Sequence, residues 1–169
     1  MPLRPSEQIQ SISVISNRMI EEQGSQSLTE AVQNVVGVNQ FANYGGVQES
    51  LSARGYRGLP ILKNGVRVQS DFRGTGFLTD MQGIESIQVL KGSAAVTQGI
   101  GNDLGSAGGV INLATKTPKF TSRGAINLRA GSWGVLRPTF DVETPLNAKK
   151  NLAVRLNGAF ERADNYRKH

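Results

Sequence analysis

Apolar and polar positions alternate with period two in most short runs of this chain, and only two stretches carry a helical spacing. Ile12 and Val14, set among Ser11, Ser13 and Ser16, predict a short strand. A helix is expected from about Arg18 to Gln23, capped by Asn17 or Ser16 and stopped by Gly24. Ser27-Leu28-Thr29-Glu30 reads as a capping box. It predicts a second helix from Leu28 to about Val35 that buries Leu28, Ala31, Val32 and Val35 and closes at Gly37. LSARGY, ILKNG and GVRVQ are the next strand candidates, and Asn64-Gly65 predicts a type I′ hairpin turn flanked by Lys63 and Val66. In IESIQVLKG, Ile84, Ser86, Gln88 and Leu90 alternate with Glu85, Ile87, Val89 and Lys91, the mark of a half-buried strand. Ser93 is placed to cap a one-turn helix, Ala94 to Gln98. A glycine-dense loop follows, and VINLATK returns as a strand.

From Arg123 onward the alternation lengthens into three segments of about ten residues, the length that crosses a bilayer as a β-strand. Ile126, Leu128 and Ala130 oppose Asn127 and Arg129. Leu136, Pro138, Phe140 and Val142 oppose Arg137, Thr139, Asp141 and Glu143, and Leu152, Val154, Leu156 and Phe160 oppose Arg155, Asn157 and Glu161. One oily and one wet face per strand is what a transmembrane β-barrel requires. An ordinary antiparallel meander on a soluble core fits the alternation equally well.

A length of 169 residues accommodates one domain and an extra segment, and 20 glycines suit a turn-rich β fold. With no cysteine, disulfides and thiolate metal sites are excluded. The net charge of +6 belongs to the tail, because residues 1–118 hold nine cations and nine anions while residues 119–169 hold ten and four. Nucleic acid is therefore not an expected partner, although a soluble basic module that contacts nucleic acid or an acidic partner is the alternative reading. No run is apolar enough for a membrane-spanning helix, and MPLRPSEQ lacks the apolar stretch of a signal peptide. The chain as given is accordingly expected to carry no export address.

Catalysis finds little to work with. His169 is the single histidine, which argues against a catalytic triad or a histidine metal site. Gly99-Ile100-Gly101 starts a dinucleotide fingerprint that Leu104 breaks, and no phosphate-loop string occurs. No enzyme activity, catalytic residue, metal or cofactor is expected. Arg54, Glu85 and Lys91 stand out instead, as charges on predicted strands that would be costly to bury alone. Phe41 to Glu49 and Ser70 to Leu78 are polar, glycine-rich stretches with isolated aromatics, the look of contact loops held out by a scaffold.

The stretch from Ile84 to Pro118 resembles the end of the plug domain of TonB-dependent outer-membrane receptors. Ile84, Glu85, Ile87, Val89, Leu90, Lys91 and Gly92 match its I-E-R-I-E-V-L-K/R-G-P string. Gly108, Gly109, Val110, Ile111, Asn112, Thr115, Lys116 and Pro118 match G-G-V-I-N-x-x-T-K-x-P. Ser93, Gln98 and the longer loop Asn102 to Leu104 depart from the pattern, and Asn64 stands where the family has an aspartate. Upstream, QSISVISNRMIEEQGSQSLTEAVQNVVGV and LSARGY are similar to the plug opening and its S-x-R-G-F/Y string; downstream, GSWG, DVETPL and RLNGAFE are similar to the barrel start of the siderophore-receptor branch.

The resemblance implies an α+β plug domain at residues 1–118, a small mixed sheet with short helices and long loops. About three antiparallel strands of an incomplete transmembrane β-barrel would follow at 119–169, since a plugged barrel has about 22 strands. It further implies a parent in the cell outer membrane, surrounded by lipid, that imports a ferric siderophore or similar iron chelate and is energised by the TonB complex. The energy-coupling box that precedes the plug in the family is not found in this chain. Arg54, Glu85 and Lys91 would lock the plug to itself and to the barrel wall. Tyr44, Gln69, Phe72, Arg73, Phe77 and Gln82, on or beside the apical loops, would contact ligand.

Overall fold

A computed structural model describes residues 11–43, 49–70, 73–74, 79–92, 108–147, 149 and 151–164. The chain divides into two compact units, Met1–Thr115 and Lys116–His169, a division slightly ahead of the expected one after Pro118. No helix among the described residues is long and apolar enough to cross a membrane.

The first unit is built on a six-stranded sheet. Its strands are β1 (Ser11–Ser16), β5 (Ile61–Lys63), β6 (Val66–Ser70), β7 (Arg73–Gly74), β8 (Ile84–Lys91) and β9 (Gly109–Thr115), in the order β1-β8-β9-β5-β6-β7. Only β5 and β9 run parallel. A smaller antiparallel sheet holds β2 (Val38–Asn43), β3 (Glu49–Ala53) and β4 (Tyr56–Arg57). One face of the large sheet packs Ile61, Ile87, Val89, Ile111 and Leu113 into the main core with Ile20, Leu28 and Leu51. The other face carries a smaller cluster of Leu62, Leu90 and Val110, with Ile12 packed against it.

Helix α1 (Asn17–Gln23) starts where Ser16 accepts the Met19 N–H at 3.4 Å. It ends on Gly24, whose φ of 64° and two terminal hydrogen bonds, Gly24 N–H to Glu21 O and Ser25 N–H to Ile20 O, form a Schellman cap. Helix α2 (Leu28–Val32) is shorter than its apolar spacing predicts. Beyond Val32 the chain tightens into i to i+3 bonding, Val35 N–H to Val32 O at 2.9 Å, so Val35 is buried without being helical. The capping box is half realised. Ser27 accepts the Glu30 N–H, but the Glu30 carboxylate takes the Gln26 N–H, and the buried Glu49 from β3 accepts the Thr29 N–H at 2.9 Å.

Asn64 (φ 51°) and Gly65 (φ 82°) form the predicted turn with both residues left-handed, and Lys63 pairs with Val66. LSARGY is not one strand. Arg54 (φ 52°) and Gly55 (φ 82°) make a second turn of the same kind, and Ala53 pairs with Tyr56 across it. The alternation in β8 is also corrected, because a bulge between Ile84 and Ser86 turns Ile84 into the main core beside Ile87 and Val89. The Gly-Gly pair before VINLATK is a packing requirement. A Cβ on Gly108 would lie 2.7 Å from Ala53 O, and one on Gly109, at φ 132°, would lie 2.0 Å from Leu90 O.

The second unit is an antiparallel meander of β10 (Arg123–Ala130), β11 (Leu136–Pro145) and β12 (Ala153–Ala159). Its register aligns like with like. Gly124, Val142 and Leu156 form one cross-strand row and Ile126, Phe140 and Gly158 the next; Arg123, Glu143 and Arg155 lie in a row of opposite parity, on the other face. The oily face is exposed, with Ile126 at 82% and Leu156 at 64%.

Candidate functional site

Two of the three expected locking residues meet at one corner of the first unit. The Arg54 N–H donates to Gly37 O at 3.2 Å, and Lys91 Nζ donates to Val36 O at 2.8 Å, so both hold the turn that leads into β2. The Arg54 guanidinium lies over Gly92, where a Cβ would stand 2.8 Å from Nη1. Gly92 itself has φ 94°. The φ is what demands glycine, since the guanidinium is the far end of a flexible side chain and can yield. Arg54 is therefore an exposed turn residue and not the strand charge expected. Glu85 sits near the opposite end of β8, half-buried and with partners of its own.

The expected ligand residues are less gathered. Gln69 is a strand residue of β6 paired with Gly74, and Arg73 of β7 pairs with Ser70, so both belong to one hairpin. Gln69 stands across from Ile61, which pairs with Ile111. Gln82 lies in a short 3-10 helix (Met81–Gly83) just before Ile84, which pairs with Thr115, so the register puts Gln82 toward the other end of the sheet. Asp80 fixes that turn by accepting the Gln82 N–H at 2.8 Å. Tyr44, Phe72 and Phe77 fall outside the described residues, as do Ser93, the expected Ala94–Gln98 helix and most of the glycine loop.

The most concentrated electrostatics lie in the second unit, on its wet face. Asp141 receives Arg155 Nε at 2.8 Å and Nη2 at 2.7 Å, a bidentate pair, and also Lys116 Nζ at 2.8 Å. Glu143 faces Arg123 at 3.0 Å and Arg155 at 3.7 Å, and accepts from the Lys119 N–H and the Thr121 hydroxyl. Arg155 also donates to Thr117 O at 3.1 Å. The side chains of Lys116, Glu143 and Arg155 are at most 2% exposed. This cluster binds the segment Lys116–Thr121, which lies outside any strand, to β11 and β12. Sequence reasoning placed Asp141, Glu143 and Arg155 on wet faces, but not opposite one another.

Residues 4–110 match the model of the TonB-dependent Receptor Plug Domain. The chain is 30% identical over 162 residues to the ferrioxamine B receptor of Salmonella typhimurium strain LT2, an alignment covering 92% of this chain and 22% of that protein. It is 30% identical over 158 residues to the metal-pseudopaline receptor CntO of Pseudomonas aeruginosa PAO1, covering 94% of this chain and 22% of that one. Among solved structures, the pyoverdine outer membrane receptor FpvA of Pseudomonas aeruginosa PAO1, bound to pyoverdine, superposes with a TM-score of 0.83 at 27% identity, covering 97% of this chain and 24% of that structure. The chain thus spans about a fifth of the length of the relatives it matches.

Proposed function

Because this chain belongs to the TonB-dependent receptor plug domain family, we propose that its parent is an outer-membrane receptor that imports a ferric siderophore or similar iron chelate. The first unit is the plug. The second supplies the opening strands of the barrel, and the TonB complex energises release of the plug. The parent catalyses no reaction: it binds its cargo, holds the lumen shut and yields when pulled.

The observation that carries this reading is the two-sidedness of the second unit. Its apolar rows are open to the surroundings, while on the charged side Lys116, Glu143 and Arg155 are buried and paired, with Arg123 and Glu161 at a more exposed margin. A soluble sheet has the reverse economy, since apolar faces seek cover and ion pairs gain little from burial. Acyl chains suit the first face and a filled lumen the second. The siderophore class is supported by relatives that are receptors for ferrioxamine B and for pyoverdine.

Within the plug, Gln69 and Arg73 of the β6–β7 hairpin are proposed ligand contacts, and Tyr44, Phe72 and Phe77 are proposed with them on their residue types alone. Amide, guanidinium and aromatic groups suit an oxygen-rich or anionic chelate. Gln82, on the turn before Ile84, is proposed as a separate contact. Arg54 and Lys91, with Glu85 at the other end of β8, are the proposed lock. The test is uptake of iron-55 ferrioxamine B and ferripyoverdine by cells whose only such receptor is the full-length parent. Uptake of one chelate that vanishes when the energy-coupling complex is removed is expected; uptake of neither overturns the cargo, and uptake indifferent to coupling overturns the mechanism.

A further inference from the structure

Thr115 and Lys116 are neighbours in the chain, yet each is fastened within a different unit and by a different kind of bond. On the Thr115 side, beyond its ladder pairing with Ile84, the fastener is the Asn64-Gly65 turn. Asn64 Oδ1 accepts the Thr115 N–H at 2.9 Å, and Asn64 Nδ2 donates to Thr115 Oγ1 at 2.8 Å. The Gly65 N–H donates to Asn112 Oδ1 at 3.0 Å. These bonds are neutral and solvent-exposed. On the Lys116 side the fastener is the buried ionic cluster, with Lys116 Nζ on Asp141, the Lys119 N–H on Glu143 at 3.2 Å and Thr117 O on Arg155.

We infer that the Thr115–Lys116 junction is a built-in release point, at which the Asn64 clasp lets go while Lys116–Thr121 stays fastened to β11 and β12. Exposed neutral hydrogen bonds exchange for water at small net cost, so the clasp opens residue by residue. The ionic cluster has no such route. Arg155 is shared by Asp141 and Glu143, so freeing it takes a partner from both carboxylates at once, and the centre of the cluster holds until it is solvated as a whole. Segment 116–121 has no strand ladder of its own, and these side-chain bonds help to fix it. Loosening of the first unit would therefore stop at Thr115, leaving a fixed leash from which the plug can return. The inference goes beyond the proposed import and requires neither a particular cargo nor the TonB complex.

Residue-resolved hydrogen exchange on the full-length parent in detergent, at increasing urea, tests it. The Thr115 and Gly65 amides are expected to show protection factors at least tenfold lower than the Lys119 amide, and to lose protection at lower urea. Asn64→Ala should reduce protection at Thr115 a further tenfold and leave Lys119 unchanged. Asp141→Asn should reduce protection at Lys119 at least tenfold and leave Thr115 unchanged. Should Asp141→Asn fail to assemble, the unaltered protein decides alone. Loss of protection at Lys119 together with or before Thr115, or an Asn64→Ala effect that reaches Lys119, overturns the release point.

Discussion

At the scale of single residues, the second unit turns on Arg155. Its side chain is 2% exposed and serves Asp141, Glu143 and a backbone carbonyl. Planar bidentate geometry suits this task in a way that the point charge of a lysine does not. Replacing Arg155 by leucine takes a partner from the buried Glu143 and the partly buried Asp141 at once, and breaking a buried pair on one side costs about 3–5 kcal/mol. The Arg155→Leu receptor is expected to unfold at markedly lower urea in detergent. An unchanged midpoint would mean that Asp141 and Glu143 are solvated in the assembled protein. Arg123 is the contrast, since its side chain is 56% exposed beside Glu143 and its loss should shift the midpoint little.

At the scale of elements, what could be read in advance was whatever depends on a few consecutive residues. Ser16, Gly24 and Ser27 announced the helix ends, and Asn-Gly announced its turn, because each acts through local backbone geometry. Three features escaped this reading of consecutive residues. The bulge that redirects Ile84 answers to its partner strand, the early end of α2 follows from tighter bonding after Val32, and the Arg54 turn uses a residue seldom found left-handed. The ionic cluster escaped for a related reason: alternation shows which way Glu143 and Arg155 point, while the register that makes them partners is set by the connections between strands. Arg54 gives this scale its own prediction. A non-glycine residue at φ 52° carries backbone strain of about 1 kcal/mol or more. Arg54→Gly is expected to leave the plug at least as stable by thermal melting, while increasing its protease sensitivity within the receptor through loss of the guanidinium over Gly92. Unchanged protease resistance would remove Arg54 from the proposed lock.

At the scale of the whole molecule, the basic excess and the exposed apolar face call for one explanation each, and the barrel reading supplies both. Cations of the tail face carboxylates on the wet side, Arg155 with Asp141, Arg123 with Glu143, and Arg137 with Glu161 at 2.7 Å. The tail charge is thereby partly engaged within the sheet and is a weaker argument for nucleic acid than the bare sum of +6 suggests. The apolar rows, in contrast, have no cover within their own sheet, and a bilayer is a solvent in which none is needed. The two faces can be told apart by placing the same charge on each. Leu156→Arg puts a cation in the row of Gly124 and Val142, where a lipid-facing charge near the bilayer midplane costs about 2–4 kcal/mol. Asn157→Arg puts it one residue along, in the row of Ala125 and Asp141, beside a carboxylate. In the full-length receptor, heat-modifiable gel mobility of outer-membrane fractions should show less folded barrel for Leu156→Arg and near-normal assembly for Asn157→Arg. Equal tolerance of both, or the reverse order, would place the oily face against something other than lipid and return the tail to the soluble-meander reading.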